Sequence, residues 1–576
     1  MKSKQRHSLR AAIVGGLFFV WLAAIGVRAG YVQIHDGTWL SDQAAGRYER
    51  EVTLQGKRGT IYDRRHEAMA MSVETTSVAA SPGLVTDKNQ AATALARALR
   101  LDAKQILQRL NSGRSFVWIK RQAGPKEVSA VRELNLPGIG FLPEHSRFYP
   151  NGVLGAQVLG FTGIDGQGLE GLEFNYNTAL QGAAATITVK RDARGRGFGT
   201  HAENTLPRAG QNLVLTIDRQ VQYIAEQALA DAVTEYQASS GMALVMIPQT
   251  GELLAMAHYP FFNPNAFGKS DRATWRNRAI TDPFEPGSTL KIFSAAAAME
   301  NGISAPDTIY YCENGTYRLA GHTVNDTKPH GWLSLQQIVK YSSNIGAVKM
   351  VEQMGPGLLH ATLKGFGFGV RTGIDCPGES PGSLADYRRW TVVDTGAIAF
   401  GQGVSVTAVQ LLSAASAIAN DGMLMRPYVV QAVLDANGQP VHTAAPEAIG
   451  QVVSAQTALS LRRIMHSVVT EGGTGVQANV AGYAVSGKTG TAQKIDRSGK
   501  YSPDQFIASF VGFAPTERPA IAVLVVVDEP RKGRYGGLVA APVFSRIVKE
   551  TLGYLDVPPS GDWKKLRVAV DAEVKG

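Results

Sequence analysis

An uncharged segment near the N-terminus divides the chain into two very unequal parts. Residues 11–27 contain no charged side chain, four basic residues precede them, and Arg28 follows. As a helix the segment spans about 26 Å, close to the thickness of the hydrocarbon core of a membrane. A cleaved signal peptide is the alternative, because residues 27–29 loosely match a cleavage site, but the apolar run exceeds what a signal peptide needs. We therefore predict a cytoplasmic tail at 1–10, a single-pass anchor at 11–28 and export of all that follows, since the basic residues precede the span.

Beyond the anchor, the sequence separates into two regions at a polar, turn-rich stretch, residues 203–212. The first region, 29–210, has the pattern of short strands and loops and is predicted to be a mostly-β pedestal that is helical at 90–111. The second region, 211–556, is predicted to be the catalytic domain, followed by a C-terminal tail at 557–576.

The second region has strand patterns at both ends and helical patterns between them. This order predicts an α+β domain whose terminal segments share one sheet. The predicted strands are residues 213–217, 242–247, 252–258, 483–494, 506–513 and 521–527.

Composition excludes a disordered chain and indicates the kind of partner. Hydrophobic residues make up 44% of the 576 residues and charged residues 18%, which excludes a disordered chain. The formal net charge of +10 suits anionic partners. No nucleic-acid-binding motif accompanies that charge, so we predict contacts with a membrane surface and cell-wall polymer and none with nucleic acid.

The first candidate for chemistry is a serine followed three residues later by a lysine. Pro and Gly at 286 and 287 mark a turn into a helix, which places Ser288 at the helix N-terminus. Residues three apart share a helix face, so the Lys291 amine can reach the Ser288 hydroxyl. A serine needs a neighbouring base, and a buried lysine that loses its proton can be that base. Alone, the pair would be interpreted as a helix cap and an exposed lysine.

A Ser-x-Asn motif, Ser342 to Asn344, comes second along the chain, in the order that serine acyltransfer enzymes use. Ser342 is suited to relay a proton between Lys291 and a leaving amine, and Asn344 to hold a substrate amide. In isolation this motif would be read as a helix cap.

The third motif is Lys488-Thr489-Gly490-Thr491, on a predicted strand. The Lys488 ammonium could keep Lys291 neutral and attract a carboxylate, with the hydroxyls of Thr489 and Thr491 completing the anion site. Gly490 allows a substrate backbone to lie close against the strand. The three motifs together predict an acyl-transfer active site.

In these motifs the chain resembles a class B penicillin-binding protein, a peptidoglycan D,D-transpeptidase, and specifically the division (septal) type. The resemblance extends from the anchor to about residue 555. Further matching blocks lie at residues 58–64, 147–150, 168–173, 276–279 and 535–544.

The resemblance implies a penicilloyl-serine transferase fold, in which a five-stranded antiparallel sheet is flanked by helices. Ser288 would attack the penultimate D-Ala carbonyl of a peptidoglycan stem peptide, and an amine of a neighbouring stem would take the acyl group. Backbone N–H groups of Ser288 and Thr491 would form the oxyanion hole, and β-lactams would acylate Ser288. The implied setting is the inner membrane, beside a polytopic septal glycosyltransferase and other divisome membrane proteins. The resemblance leaves open whether this is the main or an auxiliary septal enzyme, and which amine attacks.

One block departs from the family pattern, because His66 occupies a turn position that is usually glycine. Three other functions remain as alternatives: a β-lactamase, a membrane-bound β-lactam sensor and a catalytically inactive scaffold. A β-lactamase needs a carboxylate to activate water, and the nearest candidate, Glu379, lacks the sequence context of such enzymes. A sensor needs a cytoplasmic effector, and only ten residues precede the anchor.

The remaining polar residues predict no cofactor and no metal. The 11 histidines lack ligand spacing, and two cysteines cannot form a structural zinc site. Outside the cytoplasm Cys312 and Cys376 are equally compatible with a disulfide and with two free thiols.

Overall fold

The computed structural model divides into two compact units, one formed by residues 1–57 and 182–209, the other by 58–181 and 210–576. Residues 203–207 of the boundary stretch predicted at 203–212, and residues 561–576 of the predicted tail, lie outside the residues whose structure is described. Those residues are 2–40, 49–54, 56–183, 185–191, 197–201, 208–496 and 498–560.

The first unit contains the predicted anchor. A helix runs over Lys2–Gly30 and continues as a π-helical turn over Tyr31–His35. Within the described part of the chain, this is the one helix long and apolar enough to cross a membrane, judged by length and composition alone. The same unit holds a three-stranded antiparallel sheet of Glu49–Leu54, Ala185–Arg191 and Gly197–His201.

A seven-stranded sheet in the second unit joins strands of the predicted pedestal to strands of the predicted catalytic domain. The strand predicted at 213–217 belongs here, since Asn212–Leu215 pairs in parallel with Ile61–Tyr62 and antiparallel with Val430–Leu434. The other strands of this sheet are Ala68–Ala80, Val117–Ala123, Ile139–Phe148 and Pro440–Thr443.

The helical segment predicted at 90–111 is confirmed, and the structure divides it into two helices, Lys88–Leu99 and Ala103–Leu110. Arg100 adopts the left-handed conformation with φ 53° and ends the first helix. The Asp102 carboxylate then accepts hydrogen bonds from two backbone N–H groups and starts the second helix.

A buried ion cluster joins three of the matching sequence blocks. The Glu173 carboxylate is fully buried and lies 2.6 Å from both the Arg58 and the Arg147 guanidinium groups. Arg58 also donates to the Glu173 carbonyl at 2.7 Å, and Arg147 donates to the Gly59 carbonyl at 2.6 Å. Because an unpaired charge is costly in such a site, each member depends on the others.

The turn around His66 is kept although the family glycine is missing. His66 takes a left-handed φ of 62°, and its N–H donates to the Asp63 carbonyl at 3.0 Å. The Asp63 carboxylate accepts from the N–H groups of Arg65 and Glu67, both at 2.8 Å. Histidine therefore occupies a conformation that glycine adopts at lower cost.

The expectation of an α+β domain whose terminal segments share one sheet is confirmed. Five strands, all antiparallel to their neighbours, form this sheet, and the strand Ile521–Asp528 near the end of the domain pairs with Ser240–Met246 near its start. In spatial order they are Leu253–Tyr259, Ser240–Met246, Ile521–Asp528, Tyr501–Ala514 and Ser486–Ile495. We call Ser486–Ile495, which lies at the sheet edge, the motif strand.

Helices cover both faces of this sheet. Arg219–Glu235 and Ala541–Tyr554 pack on one face, and Ala408–Ala419 packs on the other. The helix Lys291–Glu300 is almost entirely buried. Its four consecutive alanines let the neighbouring helices approach it closely. Its packing neighbours are the helices Asn344–Met354, Pro356–Gly365 and Ala455–Val469.

Candidate active site

Ser288 lies on a tight turn that brings it beside the motif strand. The 3₁₀ turn Gly287–Leu290 leads directly into the helix that starts at Lys291. Gly287 has φ +56°, and a Cβ there would lie 2.8 Å from the Thr491 carbonyl oxygen, so only glycine fits. Ser288 itself stays partly exposed, as a residue that must meet a substrate requires.

The Lys291 side chain is completely buried, and its amine is surrounded by oxygen atoms. Nζ lies 3.0 Å from the Ser288 Oγ, 2.8 Å from the Ser342 carbonyl oxygen and 3.2 Å from the Ser342 Oγ. The Asn344 Oδ1 lies 2.6 Å from the same Nζ. The structure thus brings the first two sequence motifs together around one amine.

Burial lowers the pKa of Lys291 to about 7, and the nearby negative charge of Asp326 opposes this by favouring the ammonium. At neutral pH a large fraction of the amine is therefore uncharged. An uncharged amine has a lone pair that can accept the Ser288 hydroxyl proton, so this site can do general-base chemistry.

Lys488 is also fully buried and approaches the Ser342 hydroxyl from the motif strand. Its Nζ lies 3.0 Å from the Ser342 Oγ, so one hydroxyl bridges the two lysines. Burial, and secondarily the positive charge of Lys291, lowers the pKa of Lys488 well below that of an ordinary lysine. Since each ammonium disfavours the other, the site favours one shared positive charge over two.

Ser342 is held in an uncommon backbone conformation. It has φ 62° and ψ 40°, the left-handed region, where it ends the helix Leu335–Tyr341. The next residue, Ser343, starts the following helix, with its Oγ accepting from the Gly346 N–H at 2.9 Å. The end of one helix and the start of the next therefore direct the Ser342 hydroxyl between the two lysines. The hydrogen bonds at these two helix ends hold Ser342 in its strained conformation.

Asp326 anchors this turn, and sequence reasoning missed it. Its carboxylate accepts from the Ser343 Oγ and the Asn344 N–H, both at 2.5 Å, and from the Ile345 N–H at 3.1 Å. Asp326 lies in a loop, 18 residues before Asn344, where no sequence spacing links it to the motif. A carboxylate is favoured at the N-terminus of the helix Asn344–Met354, but the sequence does not indicate which loop supplies it.

The Asn344 side chain is oriented from both ends. Its amide nitrogen donates to the Asn325 carbonyl at 2.9 Å, which directs its oxygen towards Lys291. The role in holding a substrate amide therefore stays a prediction, because both ends of this amide have partners within the protein.

The motif strand presents hydroxyl groups beside the lysines. The Thr489 Oγ1 lies 3.2 Å from the Lys488 Nζ and 3.1 Å from the Thr474 Oγ1. Gly490 is required by its surroundings, since a Cβ would lie 2.2 Å from the Ser509 Oγ. The Thr491 Oγ1 accepts from the Gly536 N–H at 3.1 Å. Two amines and several hydroxyls placed side by side suit a carboxylate.

Glu379, the candidate water-activating residue of the β-lactamase alternative, has a structural role. Its carboxylate accepts from the N–H and the hydroxyl of Thr372, both at 2.6 Å, and from the Gly373 N–H at 3.1 Å.

The two cysteines are free thiols and do not form a disulfide, since Cys312 and Cys376 are both buried and unpaired.

Two family profiles match this chain. The penicillin binding protein transpeptidase domain matches residues 241–549, and the penicillin-binding protein dimerisation domain matches residues 53–215. The chain is 35% identical to the probable peptidoglycan D,D-transpeptidase PbpC of Pseudomonas aeruginosa over 97% of both chains. It is 33% identical to the peptidoglycan D,D-transpeptidase FtsI of Escherichia coli over 97% of this chain and 94% of that one.

Solved structures show the same architecture. The crystal structure of penicillin binding protein 3 from Mycobacterium tuberculosis complexed with ampicillin superposes with a TM-score of 0.71 at 28% identity. The match covers 89% of this chain and 98% of that one. The similarity therefore extends over both the pedestal and the domain that contains Ser288.

Proposed function

We propose that this chain cross-links stem peptides of the septal wall during cell division. It belongs to the class B penicillin-binding proteins, which are peptidoglycan D,D-transpeptidases with a pedestal and a transpeptidase domain. The reaction passes through an acyl-enzyme on Ser288, and β-lactams inactivate the protein by forming the same bond. The observation that carries this proposal is the buried Lys291 amine 3.0 Å from the Ser288 Oγ.

In the first half-reaction, Lys291 accepts the hydroxyl proton as the Ser288 Oγ attacks the penultimate D-Ala carbonyl of a stem peptide. The C–N bond to the terminal D-Ala then breaks, and its nitrogen takes a proton through the Ser342 hydroxyl. That hydroxyl lies 3.2 Å from one lysine Nζ and 3.0 Å from the other, a geometry suited to a relay. Backbone N–H groups of Ser288 and Thr491 serve as the oxyanion hole.

In the second half-reaction, an amine of a neighbouring stem peptide attacks the ester carbonyl. The amine gives up a proton to the basic site, the C–O bond to Ser288 breaks, and the hydroxyl recovers its proton from Lys291. The product is a new peptide bond between two stems, and the enzyme returns to its starting state.

Substrate binding itself sets the protonation of the base. The terminal carboxylate of the donor stem binds beside Lys488, Thr489 and Thr491, while Gly490 and Asn344 leave room for its backbone. A carboxylate at Lys488 draws the shared positive charge to that amine, and the charge on Lys488 then favours a neutral Lys291. Donor binding thus favours the neutral Lys291 that activates Ser288.

The cellular setting follows from the N-terminal helix. We place residues 1–10 in the cytoplasm, 11–28 in the inner membrane, and the pedestal (29–210) and catalytic domain (211–556) in the periplasm. The partners we propose are the polytopic septal glycosyltransferase and other divisome membrane proteins, because this chain supplies peptide cross-linking and needs glycan strands to act on.

A fluorescent penicillin tests the chemistry. Full-length wild-type protein should acquire label that is released slowly, and Ser288→Ala should acquire none while retaining the wild-type circular dichroism spectrum. Label on Ser288→Ala, or release within seconds as in a β-lactamase, would contradict the proposed acyl-enzyme.

The septal role needs a separate test in cells. Cross-linking at midcell, followed with a fluorescent D-amino acid, should fall when Ser288→Ala replaces the wild type. Loss of incorporation along the side wall instead would assign the enzyme to elongation.

A further inference from the structure

An exposed aromatic surface lies on a small sheet that the reaction described above does not use. Its two strands, Ile309–Tyr311 and Trp332–Ser334, pair antiparallel. Alternate residues of a strand point to opposite faces, so the middle residue of each strand is buried and the flanking side chains face outwards. We call three of these outward side chains the aromatic platform: Ile309, Tyr311 and Trp332.

The two rings of the platform are exposed as a pair. The ring centres of Tyr311 and Trp332 lie 5.0 Å apart, with an angle of 43° between the ring planes. Trp332 is 68% exposed, more than any other Phe, Tyr or Trp described in the second unit. Among the described residues, none accepts a hydrogen bond from the Trp332 indole N–H. A ring face with a free donor at its edge suits a ligand that is apolar on one side and polar at its rim.

The cation beside the platform is already paired. The Lys349 ammonium lies 5.6 Å from the centre of the Tyr311 ring and forms an ion pair with Glu313. The Tyr311 hydroxyl accepts from the Asn314 amide at 3.0 Å, which fixes the ring. Since Lys349 is neutralised by Glu313, it does not make the platform a site for an anion.

Short contacts join the platform to the active site. Cys312 follows Tyr311, and its Sγ lies 3.5 Å from the Ser343 Oγ. Ser343 in turn follows Ser342, so along these contacts the Tyr311 Cα lies at most about 16 Å from the Ser342 Cα. A fully extended stem peptide of five residues spans about 16–18 Å. The glycan strand that carries a stem peptide bound at Ser288 is therefore within reach of the platform.

We infer that the aromatic platform binds a sugar ring of the glycan strand whose stem peptide occupies the active site. A pyranose ring has an apolar face of C–H groups and a rim of hydroxyl groups, which matches the Trp332 ring face and its free N–H. A protein partner is a poorer match, because a stable protein interface buries about 800 Å² on each side and the platform has three side chains. The inference rests on the proposed function, since an enzyme that holds stem peptides at Ser288 brings glycan to this surface.

The test measures the binding of peptide-free glycan chains, released from peptidoglycan by an amidase and labelled with a fluorophore at the reducing end. Binding to full-length protein in detergent is followed by fluorescence anisotropy. Trp332→Ala should raise the dissociation constant about five- to tenfold, as expected for the loss of one stacked ring. Trp332→Phe keeps a ring face and should recover most of this loss. The circular dichroism spectra of both variants should match the wild type, because the side chain is mainly exposed.

Tyr223→Ala is the matched control, because it removes an aromatic side chain that is 50% exposed on the helix Arg219–Glu235, outside the platform. Its dissociation constant should equal that of the wild type. Wild-type affinity in Trp332→Ala, or an equal loss in Tyr223→Ala, would overturn the inference. Absence of glycan binding by the wild type would also overturn it and would leave the platform to a protein partner.

Glycan binding and acylation are measured separately. The chains have no peptide for Ser288 to attack, so Ser288→Ala should bind them as the wild type does. Failure of the proposed function would appear as wild-type protein that acquires no penicillin label, whatever its affinity for glycan. Failure of the inference would appear as normal labelling of the wild type, together with glycan binding that does not depend on Trp332.

Discussion

Replacing Asp326 with asparagine tests how the Ser342 turn controls the catalytic base. The carboxylate touches the Asn344 N–H at 2.5 Å, and the Asn344 Oδ1 touches the Lys291 Nζ at 2.6 Å. Since Asn344 makes both contacts, the Asp326 carboxylate and the Lys291 ammonium are roughly 7 Å apart. At an effective dielectric constant of about 20 to 40, their attraction is about 1–2 kcal/mol. This is about one pH unit.

The sign follows from the direction of the pKa shift. Asp326 raises the pKa of Lys291 towards its ordinary value, while burial lowers it to about 7. Removing the negative charge leaves burial unopposed, so the Lys291 pKa should fall further. In Asp326→Asn the pH at which acylation reaches half its maximum should therefore move down by about one unit. The maximal rate should also fall, since the Ser342 turn loses its charged anchor.

The assay is the acylation rate constant with fluorescent penicillin from pH 5 to 9. Asp386→Asn is the matched control, because it removes a carboxylate that likewise accepts a backbone N–H, that of Arg388 at 2.9 Å, on an exposed turn. A midpoint for Asp326→Asn that stays in place or rises would refute the electrostatic reasoning. So would an equal shift in Asp386→Asn, which would indicate a general effect of net charge.

Three other substitutions address the supporting structure. Glu173→Gln leaves two buried guanidinium groups without a counter-charge and should reduce the free energy of unfolding by about 3–5 kcal/mol in urea titrations; a loss under 1 kcal/mol would contradict the buried ion cluster. Gly287→Ala places a methyl group 2.8 Å from the Thr491 carbonyl oxygen, so acylation should slow by about a hundredfold, and wild-type kinetics would show that the turn tolerates a side chain. His66→Gly relieves a left-handed φ of 62° and should gain about 1 kcal/mol in thermal unfolding, whereas a loss would show that the contact of the imidazole with the Tyr62 ring outweighs the strain.

The central strands of the sheet were predicted well from the sequence because they are continuous apolar runs. Residues 521–527 were predicted and Ile521–Asp528 is observed. The strand predicted at 213–217 was recognised as a strand, but its partners were not, since strand pairing is a long-range property. The break within the helical segment at 90–111 was not predicted, because the apolar periodicity runs through Arg100 and gives no sign that Asp102 starts a second helix.

The residues of the candidate site could be predicted from the sequence, but most of the contacts between them could not. The spacing of Ser288 and Lys291 places both on one turn of chain, so their proximity follows from local structure. The bridge from Lys291 through Ser342 to Lys488 joins residues far apart in sequence, and only the packing of helices against the motif strand creates it. Asp326 gave no signal, because a carboxylate in a loop acquires its role from the helix end that the fold brings to it.

The pH dependence of Ser288 acylation in the wild type tests the central claim most directly. If neutral Lys291 is the base, the second-order rate constant for benzylpenicillin should rise with pH and reach half its maximum near the lysine pKa of about 7. Mass spectrometry should place the added acyl group on Ser288 at every pH. A rate that does not change between pH 5 and 9, or a midpoint above 9 as for an ordinary lysine, would contradict the account.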